Sequence, residues 1–229
     1  MTQRSPVALS WSGGKDSALA LAALRRQGET VHCLLTTVTE GYERISMHGV
    51  RRELLQAQAR AAGLPLVEVR IPPQCPNEIY EQRMGDAVQR LRAQGVHRHA
   101  FGDLFLEDVR AYREEHLRRV GLDAVFPLWG EDTRDLAKTF VAQGYRALLV
   151  TVDPRKLDPA FVGREYDAAL LRELPGTVDP CGERGEFHSF VWDGPIFERP
   201  VPVVRGEAVL RDGFWFQDVL PAPSAAEGR

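Results

Sequence analysis

A short apolar run, Val7 to Trp11, stops at two adjacent glycines, Gly13 and Gly14, and leads into Ser17 to Gln27, where Ala18, Leu21, Ala22 and Leu24 recur at helical spacing. Strand, glycine turn and helix in that order leave few options. The helix must pack back on its strand, and the next strand then runs parallel to the first. The unit recurs along the chain. Val31 to Val38 reads as a strand, Val50 to Ala62 as a helix closed by Gly63, Pro65 to Ile71 as a strand, and Asn77 to Gln94 as a helix stopped by Gly95. His99 to Phe101 is a short strand, Leu106 to Val120 a helix, Ala124 to Phe126 a brief strand, Thr133 to Gln143 a helix ended by Gly144, and Ala147 to Val152 the last strong strand. This alternation predicts an α/β fold, a Rossmann-like parallel sheet with helices on both faces.

Past Pro154 the pattern changes to a short helix at Arg164 to Leu174, a polar glycine-rich stretch at Asp179 to Glu186, and apolar alternation from Phe187 to Val219 that predicts two to four antiparallel strands. The expected organisation is an α/β domain over residues 1–153, a smaller C-terminal β-containing subdomain over 154–221 serving as substrate or lid element, and a disordered tail over 222–229. The formal net charge of -3 lacks the basic surplus of a phosphate-backbone binder, which argues against nucleic acid as partner. No apolar run reaches the roughly 18 residues of a membrane span, and Met1 to Pro6 lacks the features of a secretory signal. Cys33, Cys75 and Cys181 are odd in number and widely spaced, which argues against a disulfide framework or a zinc site and places the chain in the cytoplasm.

The glycine turn carries the chemistry. A strand ending in Ser10-Trp11-Ser12 that turns through Gly13-Gly14 into a helix gathers free backbone N–H groups and the positive helix end at one point, which suits an anion. Ser12 and Ser17 add hydroxyls. Lys15, one of three lysines with Lys138 and Lys156, adds a full charge. Asp16 would repel phosphate directly, so it is expected to hold magnesium, orient Lys15 or cap the helix. Neither the Walker spacing nor the dinucleotide spacing occurs at this turn.

Six contiguous residues, Ser12 to Ser17, match S-G-G-x-D-S, and on them the chain resembles the PP-loop ATP pyrophosphatases, which share an adenine nucleotide alpha-hydrolase fold. Within that superfamily it is most similar to the diphthine-ammonia ligase family. The likeness runs through Met47-His48-Gly49-Val50-Arg51, Phe101-Gly102-Asp103-Leu104 and Cys181-Gly182-Glu183-Arg184-Gly185-Glu186-Phe187. The resemblance implies adenylation of a carboxylate, on a small molecule or a modified protein residue, and attack by ammonia to give an amide, with AMP and pyrophosphate released and ATP and Mg2+ as cofactors. It leaves a homodimer open.

On that reading Ser10, Ser12, Gly13, Gly14, Lys15, Asp16 and Ser17 bind ATP, with Lys15 and Asp16 also in catalysis. Thr36, at the carboxyl end of the second strand, is expected at adenine or ribose, although threonine is also an ordinary strand residue. His48 precedes a helix and either faces the nucleotide or caps. Gly102 and Asp103 end a strand at the same sheet edge, with Gly102 expected to bind ATP and Asp103 expected in catalysis and substrate binding, holding magnesium or the amine. Glu183 and Glu186 stand in a glycine-flanked turn and are expected to bind substrate, Glu186 also acting in catalysis; a solvated acidic turn is the alternative. Cys181 and His188 have no acid or base partner identifiable in sequence, and Trp129, Trp192 and Trp215 read as core or lid aromatics. Two other functions fit the first motif: a PP-loop enzyme that thiolates tRNA, and a non-catalytic ATP-binding regulatory protein.

Overall fold

The computed structural model describes residues 5–45 and 49–223. Apolar strands alternating with amphipathic helices form a six-stranded sheet. Its parallel part is ordered β4 (Leu66–Ile71), β2 (Val31–Thr39), β1 (Val7–Ser10), β5 (Arg98–Ala100), β6 (Asp123–Val125). A two-residue strand, β3 (Arg44–Ile45), pairs antiparallel with the end of β2 and was not foreseen, since two residues carry no periodicity.

Helices cover both faces, as expected. Val7 and Leu9 of β1 join one core cluster with Leu21 and Leu24 of α1 (Lys15–Arg26) and Leu54 and Leu55 of α2 (Arg52–Ala61). Ala8, on the opposite face, packs with Cys33 and Leu35 of β2 and with Ala87 and Leu91 of α3 (Asn77–Ala93). The period of two in the strands thus sends alternate side chains to different helical layers. Val88 of α3 and Leu117 of α4 (Glu107–Arg119) close over Phe101 beyond β5.

After α5 (Thr133–Ala142) the strand β7 (Arg146–Val152) departs from expectation. It pairs antiparallel with β8 (Phe187–Asp193) and β10 (Phe214–Pro221), in a second sheet ordered β8-β7-β10-β9, with β9 Val203–Arg211. The misreading has a simple cause. Six of the seven residues of β7 are buried, and a strand covered on both faces reads as a continuous apolar run whichever way its neighbours run. The short helix is also trimmed to α6 (Ala168–Glu173), capped by Asp167, whose carboxylate accepts from the Leu170 N–H at 2.8 Å.

The second sheet does not stand apart. Leu149 of β7 and Phe190 and Val191 of β8 belong to the same core cluster as α1 and α2. Asp218 of β10 reaches back to the Gly49-Val50-Arg51 segment, accepting from Arg51 Nη2 at 2.7 Å and from Arg44 Nη1 at 2.9 Å. That motif therefore serves, in its described part, as a clasp between the two sheets; Met47 and His48 lie outside the described residues. Among the described residues no helix is long and apolar enough to cross a membrane.

Candidate active site

From β1 the chain moves outward to β2 and β4 and then returns across β1 to β5, so the order of the parallel sheet reverses between β1 and β5. Ligands of open α/β sheets sit outside the carboxyl ends of the strands at such a reversal. A cleft of about 570 Å3 opens there, lined by Ser10, Ser12, Gly14, Lys15, Asp16 and Ser17 from the first turn, Thr36 from β2, and Gly102 and Asp103 after β5. The second sheet and the turn leading into it supply the far wall, through His188 and Ser189 of β8 and Cys181 and Glu183 of the turn.

The turn has the form its sequence requires. Gly13 takes φ +77°, and any Cβ on it would come within 2.6 Å of Gln58 Oε1. Ser12 Oγ accepts from the Gly14 N–H at 3.3 Å, and Ser17 Oγ donates to the Gly14 carbonyl at 2.8 Å. Lys15 is buried, with Nζ 2.8 Å from Asp16 Oδ2 and donating also to the Cys181 carbonyl. Burial works against its ammonium, but the Asp16 carboxylate together with Cys181 and Glu183 more than offsets this and holds the Lys15 pKa above the usual lysine value. Burial raises the Asp16 pKa, against the pull of Lys15.

Gly102 is where two strand ends meet. A Cβ there would lie 2.9 Å from the Asp16 carbonyl carbon and 3.1 Å from the Ser17 N, so glycine allows the β5 loop to rest on the first turn of α1. Asp103 forms an ion pair with Arg113 of α4, Oδ2 to Nε 2.6 Å, and the Arg113 guanidinium lies 4.3 Å from the Phe101 ring centroid. Asp103 thus enters the cleft already paired, and Arg113 was not anticipated. Beneath it, His99 accepts or donates at Nε2 with Ser10 Oγ at 3.0 Å, and burial drops its pKa to about 3.

The two carboxylates of the acidic turn part company. Glu183 lines the cleft; one oxygen accepts from the Leu104 N–H at 2.8 Å, and burial raises its pKa to about 7. Glu186 is buried outside the cleft lining, and both its oxygens are taken, by the Asp179 N–H at 3.0 Å and the Arg184 N–H at 3.0 Å. Expected in catalysis and substrate binding, it is found folding the turn that presents Glu183. The Cys181 thiol is pushed far up by burial, and the His188 pKa falls to about 4 for the same reason, so neither matches an activated cysteine-histidine pair.

Of the expected ATP-binding residues, Gly13 lies behind the loop and His48 outside the described residues; the others line the cleft. Sequence reasoning missed Gln58 and Ser189. Gln58 is fully buried among Leu54, Leu55 and Ala59, and an amide inside the apolar stripe of an amphipathic helix was the available signal. Ser189 Oγ accepts the Lys15 backbone N–H at 3.1 Å, a contact across 174 residues with no local signature.

A parallel α/β sheet with a glycine turn leading into a lysine-bearing helix at its reversal point defines a nucleotide-phosphate-binding protein of the Rossmann-like class. Comparison with known families narrows this. The chain matches the diphthamide synthase N-terminal domain over residues 5–124 and the diphthamide synthase C-terminal domain over residues 132–219, and it belongs to that family. It is 25% identical to the diphthine-ammonia ligase of Mus musculus over 238 residues, covering 93% of this chain and 88% of the relative. The enzyme of the same name from Homo sapiens is 24% identical over 235 residues, with the same coverage of 93% and 88%. The relative of that name from Schizosaccharomyces pombe is 26% identical over 217 residues, which are 86% of this chain and 36% of that protein. The family and fold expected from the four motifs agree with these matches, which lend nothing to tRNA thiolation or to a regulatory role.

Proposed function

We propose that this protein is an ATP-dependent, AMP-forming ligase that adenylates a carboxylate in the cleft and transfers the acyl group to ammonia. The observation that carries the reading is the meeting in one cleft of the phosphate turn, with Lys15 charged, and a carboxyl group, Glu183, whose pKa of about 7 suits a base at neutral pH. Membership of the family and the name of the relatives support the reaction type, and they make diphthine the first carboxylate to test.

In the first step a carboxylate oxygen attacks the α-phosphorus and the bond to the β-phosphate bridging oxygen breaks. The Gly14 N–H, the Ser12 and Ser17 hydroxyls and the Lys15 ammonium stabilise the departing pyrophosphate, on which charge accumulates. Lys15 must turn from Asp16 toward the phosphates. Among the described residues no group of three or more His, Cys, Asp or Glu side chains forms a metal cage. A half-buried carboxylate beside substrate phosphates is nevertheless the kind of site Mg2+ uses, and Asp16 would hold the ion, which when bound neutralises phosphate charge. In the second step the ammonia nitrogen attacks the acyl carbon, the bond to AMP breaks, and the proton lost by nitrogen passes to ionised Glu183. In this reading Thr36 of β2, which lines the same cleft, contacts the nucleoside.

The test is to incubate the protein with ATP, magnesium, ammonium and candidate carboxylates, diphthine-bearing elongation factor among them, and to follow AMP and pyrophosphate. Carboxylate-dependent AMP formation is the expected result. Release of ADP and phosphate instead would overturn the adenylation reading.

A further inference from the structure

The side chain of Gln58 spans the phosphate turn from behind. Its Oε1 accepts from the Trp11 indole Nε1 at 2.9 Å, while its Nε2 donates to the Gly13 carbonyl at 3.0 Å and to the Val191 carbonyl at 2.5 Å. One N–H donor and two carbonyl acceptors leave a single way to orient the amide. The residue is wholly buried, and each of its polar atoms is used. The Gly13 carbonyl also accepts from the Val191 backbone N–H at 2.9 Å.

A trans peptide is planar, with its C=O and N–H pointing in opposite directions. Two donors, one from α2 and one from β8, fix the Gly13 oxygen toward the interior. The N–H of the same peptide, that of Gly14, is thereby turned the other way, toward Ser12 Oγ at 3.3 Å, and both residues line the cleft. Glycines on both sides of this peptide would otherwise let it rotate at little cost, and a rotated peptide would present an oxygen to the phosphates in place of a donor.

We propose that Gln58 is a positioning residue: by holding the Gly13–Gly14 peptide in this orientation it makes the turn competent for the polyphosphate of ATP. The proposal rests on the reading of the turn as an ATP site. It goes beyond that reading by making affinity depend on a helix that contacts no phosphate.

Titration calorimetry with Mg-ATP, alongside thermal melts, tests it. Gln58→Leu is expected to raise the Kd for Mg-ATP at least tenfold in protein that remains folded. In 1H–15N spectra the Gly14 amide resonance of the wild type should shift on titration with pyrophosphate and that of the variant should not. An unchanged Kd, within twofold, together with a lowered melting temperature would assign Gln58 a packing role only and overturn the proposal. If Gln58→Leu does not fold, Trp11→Phe removes one anchor of the amide and is expected to weaken Mg-ATP about threefold; no weakening overturns the proposal. A wild-type protein that fails to bind Mg-ATP would refute the site reading itself, so the two failures are distinguishable.

Discussion

The turn Ser12–Ser17 and the turn Asp179–Phe187 are both glycine-rich and both border the cleft, yet they use their polar groups in opposite ways. The first ties down its far side, through the Gly13 carbonyl, and keeps hydroxyls and the ammonium of Lys15 at the cleft. The second turns most of its carboxylates inward. Asp179 accepts from the Cys181 N–H at 2.8 Å and from Thr133 Oγ1 at 2.9 Å, Glu186 accepts from two further N–H groups, and Glu183 is the acidic side chain of the turn that lines the cleft. One turn leaves its polar groups at the cleft, and the other uses most of its own on itself and leaves one carboxyl there.

The largest effect expected from this contrast is at Lys15. Lys15→Ala should lower ATP-dependent AMP formation by about 10²–10³-fold, read as kcat, because it removes the charge that the proposed mechanism brings to the leaving group. Full activity would mean that the first turn is not the phosphate site. Glu183→Gln comes next, with amide formation expected to fall about 10²-fold while Mg-ATP affinity is retained. At a fixed concentration of free ammonia the wild-type rate should climb with pH up to about 7 and then level off, as Glu183 ionises, and this limb should vanish in the variant. The same raised pKa has a stability consequence. The contribution of Glu183 to folding is fully present below the ordinary carboxyl value of 4.5 and is lost as pH rises through about 7. Melting temperatures of wild type and Glu183→Gln should therefore diverge across that window in favour of the variant at high pH.

Glu186→Gln separates the two carboxylates. An amide cannot accept both N–H groups, so the turn should lose about 1–3 kcal/mol of stability in denaturant titrations. The folded fraction should keep its pH profile, and a pH profile altered like that of Glu183→Gln would return Glu186 to the chemistry. The smallest effect is expected for Gly102→Ala, where a Cβ meets the backbone of Asp16. A cost of about 1–3 kcal/mol and a severalfold rise in KM for ATP would show that the β5 loop and α1 share their position.

Much of the fold was legible because each parallel strand is followed by a glycine-stopped helix, and much of the Ser12–Ser17 turn because its polar groups are contiguous in sequence. β7 was not, since burial on both faces erases the signal that would give the direction of its neighbours. Glu183 and Glu186 were indistinguishable for a different reason. Which carboxylate faces the cleft depends on backbone N–H groups at Leu104, Asp179 and Arg184, and no side-chain pattern records those. Gln58 was readable in principle as a polar residue in an apolar stripe, but its partners lie on β8 and in the turn, far along the chain.

Those separations bear on how the molecule comes into being. The Gln58 contact of the Ser12–Ser17 turn spans 45 residues, and its Ser189 contact spans 174. A nascent chain can form the first strand-helix unit early, since those contacts are local, while the long-range clamp must wait for loop closure over most of the sequence. A chain in which β8 has not yet formed lacks the contacts that Ser189 and Val191 make with the turn.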